Sequence, residues 1–179
     1  MYDYLEVIRS PRHALQVERW HTWPTLRTQT IGDHTAQVLR IYVEVFGPPS
    51  PVVTLRILRH DMGEIGTGDC PSYAKVKAPE LKNVLDKIEE TVLNEMGHAL
   101  SHLESAEAAR VHCCDALEAL EFAVDEMRLG SSFGAYIWKT MTGVFSQRCA
   151  DLATDEDRRV VGDHYRDLML RRPSWMING

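Results

Sequence analysis

Prolines 51 and 79 and glycines 47, 97 and 130 cut this chain into long stretches whose apolar residues recur every three or four positions. That period belongs to helices. Pro51 takes the favoured first position of a helix carrying Val52, Val53, Leu55, Ile57 and Leu58. Being apolar on most sides, this helix is expected in a core. Pro79 opens a longer one, with Leu81, Val84, Leu85, Ile88, Val92 and Met96 as a core-facing stripe and Lys82, Lys87, Glu89 and Glu90 on a solvated face; Gly97 ends it. Before these, Asp33 is the expected N-cap of a helix that runs through Val38, Ile41 and Tyr42 to Gly47-Pro48-Pro49. After them come helices from about 104 to 128, from Phe133 to Ala150 and from Asp155 to about Arg171. Residues 1–17 read as a short helical lead-in broken by Pro11, and Pro173 and Gly179 mark a loose tail. There is no internal repeat, low-complexity segment or clear strand pattern. At 179 residues the chain suits one domain, 1–179, all-α, with six or seven helices.

The net charge of −6 and the lack of a basic run argue against sequence-independent nucleic-acid binding. No apolar run approaches the length of a membrane span, and the N-terminus lacks a signal-peptide pattern. The cysteines Cys70, Cys113, Cys114 and Cys149 form no C-x-x-C motif and are expected as reduced, packed thiols in a cytoplasmic protein, the host cytoplasm if the gene belongs to a phage.

Chemistry concentrates between residues 60 and 75. There an apolar helix ends at His60-Asp61, and Glu64, Asp69 and Lys75 follow through a glycine-rich loop. Imidazole and carboxylate suit a divalent cation engaged in hydrolysis. Adjacent helical residues point about 100° apart, so this pair can share an ion only at a helix end or in a distorted turn. Gly66 and Gly68 are expected to turn the chain so that Asp69 comes back toward the pair. Taken alone, the stretch reads more readily as a charged helix end and a turn than as a metal site. Asp115 sits in a small, apolar stretch, Val111-His112-Cys113-Cys114-Asp115-Ala116-Leu117, where a buried carboxylate needs a partner: a metal, or an ordinary salt bridge. Glu118 and Glu121 read as the exposed side of that helix, and His112 and Cys113 as packing. The loop Arg19-Trp20-His21-Thr22-Trp23-Pro24-Thr25-Leu26-Arg27 either lines a pocket or covers the edge of the core.

The order His34, His60-Asp61, Asp115 resembles the HD-domain metal-dependent phosphohydrolases, whose signature is H…HD…D. Arg19-Trp20, Arg27, Asp33-His34, Glu64, Thr67-Gly68-Asp69, Pro71 and Lys75 resemble the YfbR-type 5′-deoxynucleotidases, and the short chain also resembles the phage DatZ-type dATP triphosphohydrolases. Asp33 stands where the nucleotidase pattern has Glu, Tyr73-Ala74 replaces Pro-Val, and His21-Thr22-Trp23 is an unusual sequel to Arg-Trp.

The resemblance implies that His34, His60, Asp61 and Asp115 hold one divalent transition-metal cation (Co, Mn, Zn or Fe), with additional Mg accompanying a triphosphate. It implies catalytic roles for Glu64 and Asp69, phosphate binding by Arg19 and Lys75, and base or sugar contacts from Trp20, Thr22 and Tyr73. Arg27 reads as structural, paired with Asp33. The expected activity is release of deoxyadenosine and triphosphate from dATP, extending to dADP and dAMP, which depletes the dATP pool. The alternatives are a 5′-deoxynucleotidase acting on dNMPs and a nucleotide-sensing, non-enzymatic HD protein. The expected partner is a small deoxynucleotide, with no nucleic acid or membrane involved, in a homo-oligomer such as a dimer or hexamer.

Overall fold

The computed structural model describes residues 10–176, apart from the side chains of Ser72, Tyr73, Val76 and Met176. Helix follows helix: α1 (Pro11–Ala14), α2 (Ile31–Phe46), α3 (Pro51–Arg59), α4 (Ser72–Lys77), α5 (Pro79–Glu95), α6 (Ser105–Arg128), α7 (Ser132–Ala150) and α8 (Asp155–Arg171), with 3-10 turns at Met62–Gly66 and Ser174–Met176. The all-α class holds. Two short strands, β1 (Glu18–Arg19) and β2 (Gln29–Thr30), pair antiparallel with Arg19 opposite Gln29. Two residues are too few to write an alternating pattern into a sequence. Of the expected lead-in, residues 1–9 lie outside the described residues, and Pro11 opens a helical turn where a break was expected. Among the described residues no helix is long and apolar enough to cross a membrane.

Residues 10–23, Thr28–Ala36 and Leu55–Ser101 form one compact unit. Its core joins Ala14, Met62 and Leu93, with Leu15, Ile65, Met96 and Leu100 packed around them. α5 ends as expected, with Gly97 in the left-handed region and His98 N–H bonded to Leu93 O. Its buried face is turned one position from the expected stripe. Val92 and Leu93 are buried and Glu89 is half-buried, whereas Val84 and Ile88 are exposed. The cause is the 3-10 turn. A Cβ added at Gly63 would lie 2.7–2.8 Å from the Cα, Cβ and carbonyl oxygen of Glu89, so the turn rests directly on the α5 backbone there. Glu89 is therefore not a solvated residue. It accepts a hydrogen bond from Thr67 Oγ1 (3.2 Å), and burial raises its pKa. α3 also departs from its expectation: Val53 and Ile57 are buried, but Val52, Leu55 and Leu58 are exposed, so only one stripe of it is core.

Pro24–Arg27, Gln37–Thr54 and residues 102–176 form the second unit. α6 is its central helix, packed on α7 and α8. It buries Val111, Cys113, Cys114, Leu117, Leu120, Ala123, Val124 and Met127. Trp138 and Phe145 of α7 stack on Tyr165 of α8. The cysteines are free thiols, with Cys113 and Cys114 fully buried. Glu118 and Glu121 contradict their expected exposure. Glu118 is 2% exposed, and Glu121 is partly buried, bonded to His164 Nε2 (2.9 Å) and paired with Arg40. A helix covered on several sides has little surface to spare for charge, so its acids take partners instead. Glu126, fully buried, accepts the Leu26 and Arg27 N–H groups (2.6 and 3.0 Å).

A methyl group at Gly63 meets main-chain atoms that cannot yield. Gly63→Ala is expected to destabilise the protein by about 1–3 kcal/mol. Gly143→Ala on α7, where nothing lies within 4 Å of the added Cβ, should stabilise it by about 0.5–1 kcal/mol. Denaturant unfolding of both variants checks this, and equal effects would refute the close approach.

Candidate active site

The site is built where α3 stops. The helix ends at Arg59, and Asp61 sits at φ −104°, ψ 0°, between the helical and extended regions, before the 3-10 turn begins. This break lets neighbouring His60 and Asp61 face one point. His60 Nδ1 lies 2.7 Å from Ile57 O. A carbonyl only accepts, so Nδ1 carries a proton, and Nε2 is the ring nitrogen turned to Asp61.

His34 reaches the same point from the first turn of α2. Thr30, not Asp33, caps that helix. Thr30 N–H and Oγ1–H donate to Asp33 Oδ2 (3.0 and 2.9 Å), and Asp33 N–H donates back to Thr30 Oγ1 (3.1 Å). This is a reciprocal capping box with Asp in the acidic position. His34 is fully buried; its Nε2 lies 3.5 Å from Asp61 Oδ2, and that of His60 lies 3.3 Å away.

His34, His60 and Asp61 each offer a ligand atom, all within 4.8 Å of one another, and among the described residues this is the group that could hold a metal ion. The donor set fits a divalent cation. Two imidazole nitrogens face one carboxylate, and His60 Nε2 is buried without a hydrogen bond. Asp115 lies on α6 in the second unit, partly buried.

Arg19 Nη1 donates to Asp61 Oδ2 at 2.7 Å, both side chains being largely buried. The guanidinium expected to meet phosphate is thus held on the carboxylate expected to meet metal. Glu64 is buried on the 3-10 turn, and its Oε2 has no hydrogen-bond partner. Burial pushes its carboxyl up to about 9; the Asp61 and Asp69 charges push the same way, and Arg19 and Lys75 oppose them. Those four charged groups therefore surround Glu64.

Asp69 arrives by the turn at Gly68 (φ +73°), while Gly66 serves packing, since a Cβ there would lie 2.8 Å from Val92 Cγ2. Asp69 Oδ2 accepts the Trp20 N–H at 3.0 Å. Trp20 has φ +59°, a left-handed conformation that costs a bulky residue about 1–3 kcal/mol. Its indole Nε1–H donates to Gln29 Oε1 at 2.8 Å, and Arg19 lies 5.8 Å from its ring centroid. Thr22 is exposed in the turn closed by Trp23 N–H on Trp20 O (2.7 Å). Tyr73 falls on α4, with its side chain outside the described residues. Arg27 is structural, but its partners are Asp125 and Glu126 (3.3 and 3.6 Å), because Asp33 is taken up by Thr30. Sequence reasoning missed Gln29, a lone polar residue in Thr28-Gln29-Thr30-Ile31 with nothing in its setting to mark it.

Beside His60 opens a cavity of about 460 Å³, also lined by Arg56, Lys82, Asp86, Glu89 and Asn94. Lys82 pairs with Asp86 (2.5 Å). Burial lowers the Arg56 pKa.

No protein-family model matches the chain, and no curated protein sequence matches it. Among solved structures it is similar to the cyanophage S-2L HD phosphohydrolase DatZ, bound to dA and one catalytic Zn²⁺ ion, with a TM-score of 0.70 and 21% identity over 95% of this chain and 98% of that one. The chain has the HD phosphohydrolase fold. The match spans both compact units, so HD topology accounts for nearly all of the chain.

Without metal, Glu64 favours folding only while protonated. Its contribution is complete below the ordinary glutamate range near 4.3 and is lost as pH rises toward 9. In metal-free protein, Glu64→Gln should therefore gain stability over wild type between pH 5 and pH 8, by more than about 1 kcal/mol. Thermal unfolding at both pH values checks this, and a difference independent of pH would show that Glu64 is not buried in an acidic cluster.

Proposed function

We propose that the chain, acting as a single HD domain over 1–179, is a metal-dependent phosphohydrolase of deoxynucleotides. The observation that carries this reading is the convergence of His34, His60 and Asp61 beside the buried acid Glu64, within the HD phosphohydrolase fold. Asp115, third in the H…HD…D order, is the fourth ligand. Zn²⁺, Co²⁺, Mn²⁺ or Fe²⁺ suits the set; when bound, such an ion polarises a phosphoryl oxygen and acidifies water.

The chain's own residues supply the rest. Arg19 and Lys75 neutralise phosphate charge, Arg19 with a planar fork of donors. A water oxygen bonds to the α-phosphorus, the bond from that phosphorus to O5′ breaks, and O5′ leaves with a proton. Glu64, buried and with an unbonded carboxyl oxygen, exchanges protons with the water or with O5′. Asp69 assists while holding Trp20 in place, and the base and sugar contacts are assigned to Trp20, Thr22 and Tyr73.

dATP is the favoured substrate. DatZ, which shares the fold, is described with dA bound. The cavity beside His60 offers room for β- and γ-phosphates, with Arg56 as a cation beside the acids Asp86, Glu89 and Glu90. Additional Mg²⁺ accompanies the triphosphate. A second reading, a 5′-deoxynucleotidase, is supported by the charge around Glu64: Arg19 and Lys75 match the two charges of a monophosphate. The reading extends to a homo-oligomer in the cytoplasm.

Metal-loaded protein incubated separately with dATP and dAMP decides between the two. Deoxyadenosine plus intact triphosphate from dATP is the expected result, and Asp61→Ala should lower the rate at least about a hundredfold. Turnover of dAMP alone would make the enzyme a nucleotidase. Metal binding with no turnover of either would favour a nucleotide sensor.

A further inference from the structure

We propose that Gln29 is a positioning residue, whose amide oxygen fixes the Trp20 indole as the wall against which the substrate's nucleoside seats. This rests on the deoxynucleotide reading above. Trp20 is held in a conformation that bulky side chains avoid, and each of its polar groups is tied down. Its backbone N–H goes to Asp69, its carbonyl accepts from Trp23 N–H, and its indole N–H goes to Gln29 at 2.8 Å. A strained residue persists only where its surroundings over-determine it, and such residues gather at ligand clamps.

The place is right for a substrate contact. Arg19 is the preceding residue, its guanidinium 5.8 Å from the indole centroid while bonded to Asp61. Gln29 is 6% exposed, and its backbone is paired with Arg19 across the two-strand ribbon. One ribbon therefore sets both the arginine that meets the candidate metal centre and the amide that aims the indole. Gln29 itself is too buried to serve as a broad substrate surface, so its effect passes through Trp20.

Replacing Gln29 with leucine keeps the bulk and removes the acceptor. Freed of that anchor, the indole should bind the nucleoside less well without altering the reacting groups. In metal-loaded protein, Gln29→Leu is expected to raise KM for the nucleotide turned over by about tenfold, with kcat within about twofold. p-Nitrophenyl phosphate, which has no nucleoside, should be hydrolysed as by wild type. Trp20→Phe removes the same N–H from the other side and should show the same KM rise; the Gln29→Leu effect should vanish in its background. Calorimetric binding of deoxyadenosine gives a readout independent of turnover, with an expected loss of about tenfold in Gln29→Leu. Two other outcomes are decisive. A wild type that neither turns over a nucleotide nor binds deoxyadenosine overturns the functional reading and this inference with it. A working wild type whose Gln29→Leu variant has an unchanged KM, or loses kcat on both substrates alike, overturns the role of Gln29 alone.

Discussion

One carboxylate oxygen, Asp61 Oδ2, organises the first unit. Arg19, His34 and His60 approach it from β1, from the first turn of α2 and from the end of α3. A carboxylate this far from water is costly unless charge and hydrogen bonds compensate it. The compensation here comes from segments far apart in sequence, so forming the site and closing this part of the fold are one event. The break after Arg59 has the same origin: a continuous helix would carry Asp61 about 100° away from His60.

Around that oxygen the charges do not balance. Asp61, Glu64 and Asp69 are three acids, and Arg19 and Lys75 are the cations that act on Glu64. The excess negative charge can be met by a proton on Glu64 or by a cation among the ligand atoms. The two are alternatives, so an ion held there would be linked to the protonation of Glu64. Under the proposed function, a polyanionic substrate would bring its charge to the same ground, where Arg19 would have to divide itself between Asp61 and phosphate.

Much of this was legible in the sequence where local rules act alone. Pro51, Pro79 and Gly97 mark helix ends in the structure as their chemistry demands, and α8 begins at Asp155 after a Thr154 cap. The histidines and aspartate of the H…HD run could be read because their order resembles the HD signature; taken one at a time they look like ordinary residues of helix ends. What stayed hidden depends on tertiary partners. Nothing in the stripe of α5 says that the chain at Gly63 will press on Glu89 and turn Val84 and Ile88 outward. Glu118 looks like a surface acid until the helices around α6 are in place. Trp20 gives no hint of its left-handed backbone, since that state is imposed by Asp69, forty-nine residues away.

The lock between Thr30 and Asp33 has a consequence for how this chain can vary. It starts α2 at one residue, directly from the ribbon, and so sets the angular phase of everything downstream on that helix. His34 is the next position. A single-residue insertion or deletion between the ribbon and His34 would keep the composition and the helix, yet swing the imidazole by about 100° off its bearing. Substitutions in the loop before β2 leave that bearing alone. The stretch from Thr30 to His34 is thus constrained in length as well as in chemistry, since a change in count displaces the imidazole even where Thr30, Asp33 and His34 are all kept.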